Sequence, residues 1–158
     1  MYIGYLADIV FYTAFNNVIT PSEYSRTGSG RWEEHSLMHT KPVLQFTGPG
    51  LTHLSFKILV SKSLGQSPES ILRRLRDYRD NGAVVPFILG GKPVSQNYFI
   101  IESLEENGQY FDAYGKLMSV EISLALREYD DTNKVEEQSL LNSKGTTFNK
   151  INSILRWV

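Results

Sequence analysis

The stretch Lys41–Ser61, KPVLQFTGPGLTHLSFKILVS, constrains the fold more than any other. In its second half Leu54, Phe56, Ile58 and Val60 alternate with His53, Ser55 and Lys57. That period of two belongs to a strand with one face in a core and the other in water. In its first half Leu44 and Phe46 point one way, Val43 and Gln45 the other. Between the halves, Gly48-Pro49-Gly50 cannot continue a ladder, because Pro49 has no N–H and glycine tolerates positive φ. The stretch predicts a β-hairpin, or two strands meeting at a corner, with the rest of the fold packed on it.

A chain of 158 residues suits one domain with a real core. Sixteen Lys and Arg balance 17 Asp and Glu, for a net charge of −1, so long-range attraction to nucleic acid or to an anionic membrane is not expected. There is no cysteine, which removes disulfides and thiolate metal sites. Nine Tyr and eight Phe suit β-rich packing and protein interfaces. The early apolar patch Ile9-Val10-Phe11 follows Asp8 and lacks a basic leader and a cleavage signature, so it does not read as a secretory signal. No window has the apolar length of a membrane span.

Taken in order, Asp8–Thr13 reads as an opening strand, and Asn16-Asn17 and Thr20-Pro21-Ser22 supply turn chemistry. Residues 24–30 read as an exposed loop, and Arg31–Leu37 as a strand. Ser67-Pro68-Glu69 then starts a helix, with Ser67 as cap, Pro68 in the first turn and Glu69 at the positive end of the dipole. Ile71, Leu72, Leu75 and Tyr78 share one side, and Asn81-Gly82 stops it. Its arginines, Arg73, Arg74, Arg76 and Arg79, are nearly cancelled by Glu69, Asp77 and Asp80 and read as a solvated face. Val84–Leu89 is a short strand in which Pro86 demands an edge or a bulge. Tyr98–Glu105 and Leu117–Tyr129 form a β-pair, with Met118, Val120, Ile122, Leu124 and Leu126 on one face, joined by a projecting loop over residues 107–115. The fold class is α+β: a β-rich single domain of antiparallel strands, sandwich- or barrel-like, over residues 1–130, with one central amphipathic helix.

Residues 131–158 change character. A polar linker leads to a C-terminal helical arm in which Phe148, Ile151, Ile154 and Leu155 recur at helical spacing, followed by Trp157. Such an arm could fold back on its own domain or insert into a neighbouring subunit, and these five residues are the candidate partner-binding set.

Chemistry-bearing patterns are missing. His35 and His39 are four apart in a segment that reads as extended, and no HExxH is present. No GxSxG elbow, GxGxxG or GxxxxGK[ST] occurs, and adjacent acids such as Glu33-Glu34 face opposite sides of a strand. No catalytic, cofactor-binding or metal-binding residue is therefore nominated.

The order of motifs is more informative. Gly4-x-x-x-Asp8-Ile9-Val10-Phe11 is followed by Arg31-Trp32-x-x-His35, then Lys41-Pro42-x-Leu44-Gln45-Phe46-Thr47-Gly48-Pro49-Gly50-Leu51. Gly65-x-x-Pro68-Glu69, Leu89-Gly90-Gly91 and Leu126-x-Glu128-Tyr129 complete the series. Over about residues 1–130 this resembles the GpU family of tail proteins from contractile-tailed bacteriophages and phage-tail-like bacteriocins. The resemblance implies a non-enzymatic structural component of the virion tail or tailocin particle, made in the host cytoplasm and present in multiple copies in a symmetric assembly. It implies an adaptor role among tube, hub, baseplate wedge and tape measure proteins, with tail completion at the neck as the alternative and a cell-wall hydrolase as the alternative of another class. Trp32, His35, Gly48, Pro49 and Gly50 carry over as fold markers, not as catalytic groups, and no cofactor is implied. Some relatives carry a peptidoglycan-binding LysM module after the body; with fewer than thirty residues following Tyr129, cell-wall binding is not expected here.

Overall fold

A computed structural model describes residues 1–131. The polar linker and C-terminal arm expected over 131–158, with Phe148, Ile151, Ile154, Leu155 and Trp157, lie outside the described residues apart from Asp131.

The described chain is β-rich, with eleven strands and one α-helix. The first sheet contains β1 (Tyr2–Leu6), β2 (Ile9–Ala14), β3 (Asn17–Ile19), β8 (Phe87–Leu89) and β9 (Lys92–Pro93), in the order β3-β2-β1-β8-β9. The second contains β4 (Pro21–Thr27), β7 (His53–Ser61), β10 (Tyr98–Phe111) and β11 (Leu117–Tyr129), in the order β10-β11-β7-β4. A separate ribbon pairs β5 (Gly30–His35) with β6 (Val43–Pro49). All named pairs are antiparallel.

The two larger sheets share one core. Phe11 and Phe87 of the first interleave with Phe56 and Phe99 of the second; Phe56 and Phe87 stack at 5.2 Å and the remaining contacts are edge-on. Offset-stacked and edge-on pairs are the arrangements the ring quadrupole favours. The predicted inward set of β7, Leu54, Phe56, Ile58 and Val60, is buried throughout. Helix α1 (Pro68–Asp80) closes the core with Ile71, Leu72 and Leu75. It is tied to the β1–β2 turn by Asp8, which accepts from Arg74 Nη1 at 2.9 Å and from the Tyr78 hydroxyl at 2.7 Å.

Gly4, the first residue of the opening motif, lies where β8 crosses closest. A Cβ there would sit 2.0 Å from the Ile88 carbonyl oxygen, so only glycine permits this pairing of β1 with β8.

Several expectations need correction. The opening strand expected over Asp8–Thr13 stands as β2, but a further strand, β1, precedes it and folds back on it at Ala7-Asp8, with Ala7 at φ 54. Residues 21–27, expected as turn and loop, form the edge strand β4 paired to β7. They lack an alternating pattern because nearly all of them are exposed. Pro86 marks no sheet edge: β8 starts after it and lies between β1 and β9, while the Pro86 carbonyl accepts from Ala7 N. The projecting loop at 107–115 is mostly strand. β10 runs to Phe111, with Gly108 at φ 56 inside a register shift, and Asp112 Oδ1 accepts from Tyr114 N and Lys116 N in a tight turn. Met118 is exposed and Leu117 takes the inward place, because the register slips beside that turn. Ser67 occupies the helix N-cap position without making the expected side-chain hydrogen bond.

The central stretch is a corner rather than a hairpin. β6 pairs with β5, and β7 with β4 and β11. Together β4–β5 and β6–β7 form one long two-stranded run whose inner half belongs to the body and whose outer half, β5–β6, projects as an arm. β7 starts at the joint with the arm and ends at Ser61, opposite Ser119 of β11. The β10–β11 turn therefore lies at the other end of the same sheet.

Candidate docking surface

The arm and its joint with the body hold every fold marker named from the sequence, Gly50 lying just past the end of β6. Trp32 and Phe46 are cross-strand partners with ring centroids 5.0 Å apart. Glu34 pairs with Leu44 two positions along, on the same face. The other face carries Glu33 opposite Gln45 and His35 opposite Val43, with His35 Nε2 and Gln45 Oε1 2.9 Å apart. The ribbon is amphipathic, as the directions of Leu44 and Phe46 predicted. Its apolar face covers no core: Trp32 is 60% exposed, Leu44 61% and Phe46 52%. Leu37 and Met38 extend this exposed apolar character into the tip between the strands.

The joint is built by glycine and by one carboxylate. Gly50 N donates to the Ser29 carbonyl at 2.7 Å, carrying the ladder across the break, and a Cβ on Gly50 would lie 2.8 Å from that same oxygen. Gly48 sits at φ 129, where a side chain would also approach the Arg31 guanidinium. Pro49 ends β6. Arg31 Nη2 donates to the Thr47 carbonyl and Thr47 Oγ1 donates to the Arg31 carbonyl, closing the register shift that opens the arm. Beneath the joint, Glu128 accepts from Thr52 N at 2.9 Å, Ser95 Oγ at 2.5 Å and Asn97 Nδ2 at 3.1 Å. Burial pushes its carboxyl pKa up, but these donors outweigh it and hold it below the ordinary value. Glu128 was visible only as a motif letter; its role depends on segments 33 and 76 residues away in sequence, which no local pattern reports.

A second exposed apolar group lies at the opposite end. Tyr110, Phe111 and Tyr114 crowd the β10–β11 turn, and Tyr114 is 91% exposed. A cleft of about 530 Å³ lies between this turn and α1, lined chiefly by the charged side chains Glu69, Arg73, Arg76, Asp77 and Asp80, with Phe111 beside them.

The helix arginines do not act as a group. Arg74 pairs with Asp8, Arg76 with Glu106 at 2.6 Å and Arg79 with Asp80. His53 lies 3.7 Å from Glu102. Among the described residues no three His, Asp or Glu side chains gather into a metal-holding group. Also among these residues, no helix is long and apolar enough to cross a membrane. The described surface carries two exposed apolar groups, Trp32, Leu44 and Phe46 on the arm and Tyr110, Phe111 and Tyr114 beside the β10–β11 turn.

Comparison with known proteins gives one family: the family model described as Phage P2 GpU matches residues 10–131. No curated protein matches the chain.

Proposed function

We propose a place within the tail for this protein, which belongs to the Phage P2 GpU family and is thereby a phage tail structural protein. Its role is that of an adaptor during assembly of a contractile tail or tailocin, joining tube or hub to baseplate proteins without catalysis. One observation carries this reading: an amphipathic two-stranded arm whose apolar face, Trp32, Leu44 and Phe46, is left uncovered by its own body. Contiguous exposed apolar surface marks an interaction site, and an isolated two-stranded ribbon is marginal in water on its own. Docking on another tail protein would satisfy both conditions.

The C-terminal segment is the second proposed contact. Phe148, Ile151, Ile154, Leu155 and Trp157 would anchor the protein to a tube, hub, wedge or tape measure partner. Burying an apolar side chain contributes about 1.5–3 kcal/mol before ordering costs. Deleting residues 144–158 is expected to leave the body folded and to block incorporation into particles; normal stoichiometry of the truncated protein would remove this anchor from the account.

The adaptor reading is tested by location. Gold label on an N-terminal tag, imaged on purified particles, should lie at the end away from the head. Label at the neck would favour tail completion instead. Intact particles without label, with the tagged protein found only free of them, would overturn both.

A further inference from the structure

We infer that residues 146–158 of this chain lie across the outer face of its own first sheet in the unassembled protein. The inference goes beyond the tail reading above and does not depend on it. It says where the proposed anchor rests before a partner takes it.

The strand register places Val10, Tyr5, Ile88 and Pro93 side by side across β2, β1, β8 and β9. Their neighbours along the strands, Ile9, Phe11, Leu6 and Phe87, are buried in the shared core, so this row stands on the opposite face. Val10 is 41% exposed, Pro93 is exposed, Tyr5 and Ile88 are half-buried, and the row holds no charged side chain. The second sheet shows what a solvated outer face is in this protein. There His53, Ser55 and Lys57 of β7 stand opposite Arg127, Ala125 and Ser123 of β11. An antiparallel sheet with one wet face carries polar residues on that face. The first sheet instead presents apolar rows on both faces, the pattern of a sheet covered twice.

The path of the chain selects what covers it. Glu128 of β11 accepts from Ser95 and Asn97, which follow β9, and Asp130 lines one cleft with Pro93, the last member of the row. The chain past Asp131 therefore starts at one end of the row. Residues 132–145 can span up to about 45 Å when extended, well beyond the about 15 Å across these four strands. Phe148, Ile151, Ile154 and Leu155 then recur at helical spacing. A helix over residues 146–158 is about 20 Å long, long enough to cross the row. One apolar stripe laid on one apolar row buries both.

The native chain has no cysteine, so introduced thiols report without background. The full chain carrying Val10→Cys and Asn152→Cys is treated at low concentration with a short bismaleimide linker. The expected result is a bridge within the monomer, formed about tenfold faster than when Val10→Cys is replaced by Leu44→Cys on the arm or Tyr114→Cys at the β10–β11 turn. An environment-sensitive dye on Leu155→Cys gives a second reading. Its emission should be blue-shifted in the dilute protein, and Val10→Glu should move it to the value seen in urea while the far-ultraviolet spectrum stays that of the folded body. No bridge, an equal rate to the arm or the turn, or blue emission that Val10→Glu leaves in place would overturn the inference. So would a bridge found only between chains when the two single variants are mixed, which would make a second copy the occupant. Incorporation into particles keeps this inference apart from the anchor. The bridged protein should be left out of particles and the unbridged double variant taken up. Normal uptake of bridged protein defeats the anchor and leaves the fold-back standing, whereas normal uptake of a double variant that never bridges defeats the fold-back and leaves the anchor standing.

Discussion

β6 and β7 are neighbours in sequence, separated by three residues, and carry the same alternation, yet they meet opposite fates. On β7 the apolar side is sealed, with Leu54, Phe56, Ile58 and Val60 at 2% exposure or less. On β6 the apolar side is open, with Leu44 and Phe46 more than half exposed. Composition does not separate them; neighbours do. β7 lies between β4 and β11 with the first sheet above it, whereas β6 has only β5. Alternation tells which residues share a face. Whether anything covers that face is a property of the whole fold, and among the described residues β5 is the strand paired with β6.

The difference can be broken most forcefully from the body side. Phe56→Ala removes a ring held by Phe11 and Phe87 and should cost about 3–5 kcal/mol in urea unfolding. A loss below about 1 kcal/mol would mean that the body is not the self-sufficient half.

The joint comes next. Glu128→Gln keeps the shape but weakens three hydrogen bonds, and should cost about 1–3 kcal/mol at neutral pH. The sign of the pH effect follows from the lowered carboxyl pKa. The stabilisation is present above the unfolded pKa, near the ordinary 4.5, and is lost as pH falls through the lower folded value. Stability of the native protein should therefore fall across that acid window more steeply than stability of the variant; parallel curves would remove Glu128 from the joint.

On the arm, Trp32→Ala should change unfolding by no more than about 1.5 kcal/mol, the range of one aromatic pair, while abolishing assembly. Unimpaired incorporation would contradict the role given to the arm. Smallest of all, Lys57→Gln severs the 2.7 Å pair with Glu23 on the outer face of the second sheet and should leave the urea midpoint of unfolding unchanged.

The legible parts of the sequence were those governed by local physics. The β7 period, the β11 period from Val120 to Leu126, the α1 start at Pro68 and its stop at Asn81-Gly82 stand in the structure, because spacing and turn chemistry act within a few residues. What was hidden depended on distant partners. β4 is an exposed edge strand with no inward face to reveal it. The β1–β2 turn uses Ala7 and Asp8 rather than glycine, so it lacks the usual signal. β10 continues past Asn107-Gly108 because β11 still pairs with it. For the proposed docking surface, Trp32, His35, Gly48, Pro49 and Gly50 were named only as fold markers, and the candidate partner-binding set, Phe148, Ile151, Ile154, Leu155 and Trp157, lies outside the described residues. That β5–β6 projects, and that its apolar face is bare, required the structure.

The most direct test compares hydrogen exchange of the amides in residues 30–49 between the dilute protein and purified tail particles. The account predicts fast exchange in the dilute protein and strong protection in the particle, with β7 and β11 slow in both. Equal exchange of the arm in both states would contradict the claim that the arm is the face by which this protein is built into its assembly.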